Sequence, residues 1–412
     1  MTRDGRLLFA ARAVRMFGYG SLAVILAIYL AAAGFDATAI GILLSLTLVG
    51  DTLVSLWLTT HADRIGRRRT LLVGAGLMAA AGLVFASQTS FAILLIAATI
   101  GVLSPSGNEV GPFLAVEQAS LSQVTDPARR TTVFAWYNLT GSVATAIGAL
   151  VTGLLVGVLR GGMGMAEVDA DRTVLLLYVA VGLVLVPIFL AVSAAVEVPP
   201  VDMSIARRLG LHRSRGVVFR LAALFSLDAF AGGFVIQSLI ALWFYTRFGV
   251  PEAVLGAIFF GANILAAISA LAAASIARRI GLINTMVLTH LPSNVLLILV
   301  PFMPNLPLAI VVLLARFSIS QMDVPTRQSY TIAVVDPDER SAAAGVTGIA
   351  RTTGAAISPL FAAPLMASAS LAALPFVIAG GLKIAYDLLL YRGFKSSPAP
   401  DDPMRRVRGI RS

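Results

Sequence analysis

The sequence predicts an all-α integral membrane protein, with twelve transmembrane helices in two pseudo-symmetric six-helix bundles. Three observations carry this reading. The 412 residues are 58% hydrophobic and only 13% charged, whereas a soluble domain carries about 25% charged residues. The apolar residues fall in twelve runs, most of them near the roughly 20 residues that a helix needs to cross a bilayer. Short motifs of the first half recur, in the same order, in the second. No stretch shows the alternating, weakly apolar pattern of a membrane barrel strand.

In chain order the apolar segments are read at 7–33, 38–62, 70–88, 91–122, 131–159, 173–196, 217–246, 251–277, 284–303, 307–335, 342–369 and 371–393. Segment 1 carries Arg12 and Arg15 and lacks a cleavage site, so it reads as a span rather than a signal peptide. Segment 4 holds Pro105, Gly107, Gly111 and Pro112, which predict an irregular turn near Glu109; broken helices at mid-depth often line substrate sites. Segment 7 ends in Trp243, Phe244 and Tyr245, read as an interfacial aromatic belt. The domains are therefore read as a bundle at 1–196, a cytoplasmic linker at 197–216, a bundle at 217–393 and a basic cytoplasmic tail at 394–412, with four arginines suited to lipid headgroups.

Net charge is +10, and its placement matters more than its sum. With the N-terminus inside, the inner loops and termini hold 21 of the 31 Lys and Arg residues and the outer loops hold 3, namely Arg160, Arg172 and Arg247. This bias places both termini in the cytoplasm and the chain in the cell membrane. The basic charge is a topology signal, and no nucleic-acid partner is inferred from it. There is no cysteine, so disulfides and thiolate sites are excluded, and the three histidines (His61, His212, His290) are too dispersed to suggest a metal cluster. No metal or cofactor is expected, and the chain reads as a monomer.

The repeats are specific. "GFDATAIG" (34–41) matches "GVPEAVLG" (249–256), and "ADRIGRRRT" (62–70) matches "ARRIGLINT" (277–285), both at an offset of 215 residues; "DPARR" (126–130) matches "DPDER" (336–340) at 210. With twelve spans and a long central linker, "ADRIGRRR" resembles the major facilitator superfamily signature that follows the second helix, G-x-x-x-D-R-x-G-R-[RK]. It places Asp63, Arg64, Gly66, Arg67 and Arg68 on the signature, with Thr59 where the first glycine stands. The resemblance implies secondary transport by alternating access, with this cluster as a latch on the inner side and Asp63 facing the positive end of segment 11. The Gly-Pro antiporter motif of segment 5 and the arginine usual in segment 4 are both missing.

Ionisable residues inside the spans mark candidate sites, because a charge at mid-bilayer costs a few kcal/mol unless a partner or a water-filled cavity meets it. Asp51 lies 12 residues before Asp63, roughly 18 Å deep at the helical rise. Asp228, Asp323, Arg351 and Glu109 are comparably deep or deeper, and Arg15 lies in the inner half of segment 1. Asp51, Glu109 and Asp228 have no basic residue at helical spacing and are read as unpaired, proton-carrying carboxylates. Asp323 and Arg327 are i, i+4 on segment 10 and could neutralise one another, as could Lys383 and Asp387 on segment 12. Lys383 and Asp387, Arg12 and His290 are read as structural. Glu117 and Arg327 occupy matched places in the repeat and carry opposite charge, so a second reading pairs them as an inner gate.

The function read from these features is a secondary active transporter of a small solute, running proton-coupled efflux. Uptake of a small organic anion is the alternative, since Arg15, Arg327 and Arg351 would suit one. A non-transporting membrane sensor is the alternative from another class; an enzyme is not expected, for want of a phosphate-binding loop or a metal cluster. The orientation is testable in this cysteine-free chain. A single cysteine at Gly162 should react with an impermeant maleimide added to intact cells and one at Ser204 should not; the reverse pattern would invert the topology.

Overall fold

The computed structural model describes residues 1–126, 129–197, 211–336 and 339–395. They form sixteen α-helices and no strand among the described residues: α1 (Arg3–Ala32), α2 (Ala37–Ile65), α3 (Arg67–Ser87), α4 (Phe91–Ile100), α5 (Phe113–Gln123), α6 (Arg130–Gly157), α7 (Glu167–Ala191), α8 (Arg215–Gly233), α9 (Gln237–Phe248), α10 (Glu252–Ile280), α11 (Leu282–Leu299), α12 (Leu306–Ser320), α13 (Asp323–Ala333), α14 (Arg340–Ile357), α15 (Pro359–Ala367) and α16 (Leu374–Phe394). Ten stretches are long and apolar enough to cross a membrane. The two remaining apolar runs of the sequence are interrupted, as are the seventh (between α8 and α9) and the tenth (between α12 and α13). The fourth is split between α4 and α5 by an irregular stretch at 101–112, and the eleventh between α14 and α15. The chain is a multi-pass membrane protein. Most of the predicted linker (198–210) and tail (396–412), and the side chain of Asp63, lie outside the described residues.

Contacts group the chain into two units, Met1–Val201 with Ile236–Asn263, and Asp202–Val235 with Ile264–Ser412. The repeat boundary drawn from the sequence differs in assigning 236–263 to the second half.

In the first unit α1 is the core helix, packed against α6, α7 and α9. Small residues let these backbones approach: a Cβ on Gly20 or Gly148 would sit 2.0 Å from the carbonyl oxygen of Thr145 or Phe17. The Ser238 hydroxyl at the start of α9 donates to the carbonyls of Ala23 (3.0 Å) and Pro105 (2.7 Å). Trp243 and Phe244 are buried and stack edge-on against each other, which corrects the expected aromatic belt. Packing against this unit, not an interface with lipid headgroups, holds both rings.

The N-terminus of α3 is closed by an acid. Glu197 accepts the backbone N–H of Arg67 (2.7 Å) and of Arg68 (3.1 Å), as an anion at the positive end of a helix should. At the same end Asp4 accepts the Ser193 N–H (2.9 Å) and hydroxyl (2.6 Å).

In the second unit α8 packs on α14 and α16, and α11 on α12, α13 and α16. Leu221, Phe225, Met286, Tyr330, Tyr386 and Leu390 form a common apolar core. Glu339 repeats the role of Glu197. Burial opposes its ionisation, but the backbone N–H groups of His212, Arg213 and Ser214, at 2.8, 2.8 and 2.9 Å, outweigh that and hold its carboxyl down at about 2.

The internal repeat is visible in the backbone. Gly66 (φ 102°) and Gly281 (φ 84°) occupy equivalent places, each opening the next helix directly from the last. An L-residue there is strained by roughly 1–2 kcal/mol. Gly66→Ala should lower thermal stability in detergent. Gly76→Ala, in open space on the regular helix α3, should be neutral or stabilising by up to about 1 kcal/mol. Equal melting temperatures for the two variants would contradict the backbone account.

Candidate functional site

Each unit carries one buried polar network at membrane depth. In the first, Arg15 has no exposed surface. Its Nη1 and Nη2 donate to both oxygens of Glu117 at 2.6 and 2.9 Å, and its Nε donates to Glu109 at 2.8 Å. Arg12 donates through Nη1 to the other oxygen of Glu109 (2.6 Å) and through Nε to the Tyr137 carbonyl (2.8 Å). The Tyr137 hydroxyl completes Glu117 by donating to it. Aromatic faces cover both cations, with Arg12 4.3 Å from the Tyr137 centroid and Arg15 4.4 Å from that of Phe113. Two guanidiniums and two carboxylates thus cancel in a fixed lattice of charge-assisted bonds.

The break in the fourth run is what puts Glu109 there. Gly107 and Gly111 take φ of 69° and 78°, so the chain leaves helical geometry between Gly101 and Pro112. The freed backbone groups find internal partners, as hydrocarbon requires. Tyr178 donates to the Val102 carbonyl (2.7 Å), Tyr19 to that of Val110 (3.1 Å) and Ser104 to that of Asn108 (2.7 Å). Asp51 accepts the Gly111 N–H and the Ser55 hydroxyl (3.1 Å). It has no ion-pair partner among the described residues.

In the second unit Asp228 is the hub. Lys383 Nζ lies 2.6 Å from its Oδ1 and Arg327 Nη1 3.0 Å from its Oδ2. The same Arg327 nitrogen is 3.1 Å from Asp323. His290 Nε2 stands 4.0 Å from Asp228, while its Nδ1 is 2.9 Å from Asp387, whose second oxygen accepts the Asn294 amide at 2.9 Å. Two further guanidiniums are near but unclaimed. Arg316 and Arg351 lie within electrostatic reach of Asp228 and Asp323, and the Nε of each is buried without a hydrogen-bond partner. Arg316 rests on the Phe317 ring (4.8 Å). The second network therefore sets four cations, Arg316, Arg327, Arg351 and Lys383, against the carboxylates of Asp228, Asp323 and Asp387.

These geometries revise the sequence reading at named residues. Glu109 and Asp228, expected to be unpaired, are each held by two cations, Glu109 by Arg12 and Arg15 of α1 and Asp228 by Arg327 of α13 and Lys383 of α16; Asp51 alone of the three has no cationic partner among the described residues. Lys383 and Asp387 do not neutralise one another, because each turns to a different neighbour, Asp228 and His290. Glu117 and Arg327, expected as a gate pair, are each engaged inside their own unit, and the alternative pairing of Arg327 with Asp323 is the one formed. Of the inner cluster, Gly66 turns the chain, Arg64 is exposed, Arg67 bonds Gln123 (2.8 Å) and the Val196 carbonyl (3.1 Å), and the Nε of Arg68 has no partner. Sequence reasoning did not single out Arg316, and it read Arg12, His290, Lys383 and Asp387 as structural without locating the cross-helix partners they bond.

Comparison with known proteins follows the same line. The family model described as Major Facilitator Superfamily matches residues 8–359. The uncharacterized membrane protein YJR124C of Saccharomyces cerevisiae is 30% identical, covering 94% of this chain and 93% of its own. Among solved structures, the nucleoside transporter NupG (D323A mutant) superposes with a TM-score of 0.74 at 14% identity, over 95% of this chain and 100% of that one. The human organic anion transporter MFSD10 does so with a TM-score of 0.64 at 18% identity, over 95% of this chain and 100% of that one.

Removing one partner of a buried pair costs about 3–5 kcal/mol, because the other charge is left uncompensated. Arg15→Leu should therefore strip most of the stability of the first unit, and adding Glu117→Leu should restore much of it. Thermal unfolding of the purified variants in detergent checks this; a double variant no more stable than Arg15→Leu would refute the pairing energetics.

Proposed function

The chain belongs to the major facilitator superfamily, and from that premise we propose that it is a secondary transporter of small organic anions, coupled to protons and working by alternating access. The observation that carries the anion assignment is the pair of guanidiniums, Arg316 and Arg351, that lack a carboxylate partner among the described residues, beside a network in which four cations face three carboxylates. A guanidinium presents a planar fork that fits a carboxylate or phosphate in two bonds, and it stays charged at any depth. A substrate anion supplies the missing negative charge, and a neutral or cationic solute does not. The family fold accommodates such cargo, MFSD10 being named an organic anion transporter.

Proton coupling is assigned to Asp51, the carboxylate whose bonds run to a backbone N–H and a hydroxyl rather than to a cation. Such a group can change charge without breaking an ion pair, whereas Glu109, Glu117 and Asp228 each bond cations directly. Efflux follows if inward proton movement through Asp51 drives export. Asp63, Arg64, Gly66, Arg67 and Arg68 serve this cycle as the inner latch implied by the signature.

Proteoliposomes with an imposed pH gradient test the whole reading. Labelled mono- and dicarboxylates should exchange across the membrane, and the sign of the gradient that accumulates them gives the direction. Arg316→Gln and Arg351→Gln should each lower anion exchange about tenfold, one charge-assisted bond's worth. Asp51→Asn should abolish gradient-driven flux while leaving exchange at equal pH. Transport of cations or neutral solutes unaffected by both arginine variants would overturn the anion assignment, and Asp51→Asn flux with wild-type pH dependence would overturn the coupling assignment.

A further inference from the structure

We propose that Asp171, on the first turns of α7, is a proton-binding site that fastens α9 and the start of α10 to α7 and the turn after α6. Asp171 has no exposed surface, and neither of its carboxylate oxygens has a hydrogen-bond donor. The charged groups within its electrostatic reach are Glu252 at the start of α10, Glu167 on its own helix and Arg160 in the turn after α6. Arg160 is already spent: it pairs with Glu252 and, at 3.4 Å, with Glu167. Glu167 also accepts the Tyr245 hydroxyl of α9 at 2.6 Å. From α1 the titratable neighbour is Tyr29, whose hydroxyl donates to the Phe85 carbonyl (2.6 Å). Arg172, also near Tyr29, pairs with Asp169 at 3.2 Å. The charged side chains of α3, Arg67, Arg68 and Arg69, stand at its far end.

Three carboxylates therefore share one guanidinium, and the one with no donor is the most buried. A carboxylate ion so placed suffers the full desolvation cost and repulsion from two like charges. Among the described residues no group of three acids, histidines or cysteines is spaced to hold a metal ion. The ligand that removes the charge is a proton.

The sign follows. With Asp171 protonated, Arg160 is shared by two carboxylates and clamps α10, while Tyr245 clamps α9 through Glu167. Loss of the proton adds a third negative charge to the same guanidinium, and that charge is relieved where water reaches the carboxylate. The fastened form is favoured at low pH and released as pH rises through the Asp171 titration. The basic-residue count places this end of the unit outside the cell, so the site reads external acidity; the argument is independent of the substrate class.

Spin labels at Met163→Cys and Thr246→Cys, both at exposed positions on the two sides of the clamp, report the separation by pulsed dipolar spectroscopy in liposomes. In the otherwise wild-type protein the distance distribution should be short in acid and shift to a longer component as pH rises. Asp171→Asn keeps the shape and removes the titration, so its short distance should persist at all pH values. Glu167→Gln removes one repelling charge, so its midpoint should move to lower pH; this arm stands even if the Asp171 variant does not fold. A wild-type distribution that ignores pH, an Asp171→Asn protein that titrates like the wild type, or a Glu167→Gln midpoint at or above the wild-type value would each overturn the proposal.

Discussion

A charge carried into hydrocarbon has to be cancelled by a neighbour, and the first unit is organised around that demand at Arg15. Its guanidinium is wholly buried and all three of its nitrogens bond carboxylates. To bring Glu109 and Glu117 to the same cation the fourth run has to stop being a helix, since the two acids are eight residues apart and meet one guanidinium from different sides. The break at 101–112 then creates its own demands, which the hydroxyls of Tyr19, Tyr178 and Ser104 and the carboxylate of Asp51 meet. The Pro105 carbonyl, left over from the same break, becomes the anchor for Ser238 and so for α9. One buried cation thus organises four separate helices.

The two units solve the same problem differently. In the first, cations and carboxylates match one for one and lock together with aromatic covers, a rigid arrangement that asks nothing of a ligand. In the second, Asp228 draws Lys383 and Arg327 together, Arg327 is shared with Asp323, and Arg316 and Arg351 are left over. The first network is balanced in charge, and the second holds one more cation than carboxylate.

The spans, the repeat and the family were legible in the sequence because hydropathy and short motifs are local signals. The turns at Gly66 and Gly281 are an example, since both were located by an offset of 215 residues and both have the positive φ that equivalence requires. The irregular turn at segment 4 was legible for the same reason. The charge partners were not. Helical spacing sees only i, i+3 and i, i+4 neighbours, so it found Asp323 with Arg327 and then wrongly joined Lys383 to Asp387. It could not see Arg12 with Glu109, 97 residues apart, or Lys383 with Asp228, 155 residues apart. Because buried charges come paired, a span cation with no acid at helical spacing, such as Arg316, points to a partner or ligand on another span.

The broken fourth run bears on how the chain is made. Synthesis proceeds from the N-terminus, so α1 is in place before Glu109 and Glu117 emerge, and each acid meets Arg12 or Arg15 as it arrives. A segment that is neither continuous helix nor free of charge can then be accepted by the bilayer because its counterions are already resident. The second unit reverses that order. Asp228 is made before Arg327 and Lys383, 99 and 155 residues ahead of them. Its helix has to wait, with its acid uncompensated or shielded at the insertion machinery, until nearly the last span is complete. Biogenesis of the two halves is therefore asymmetric: the first can settle as it is translated, while the second can close only at the end of translation.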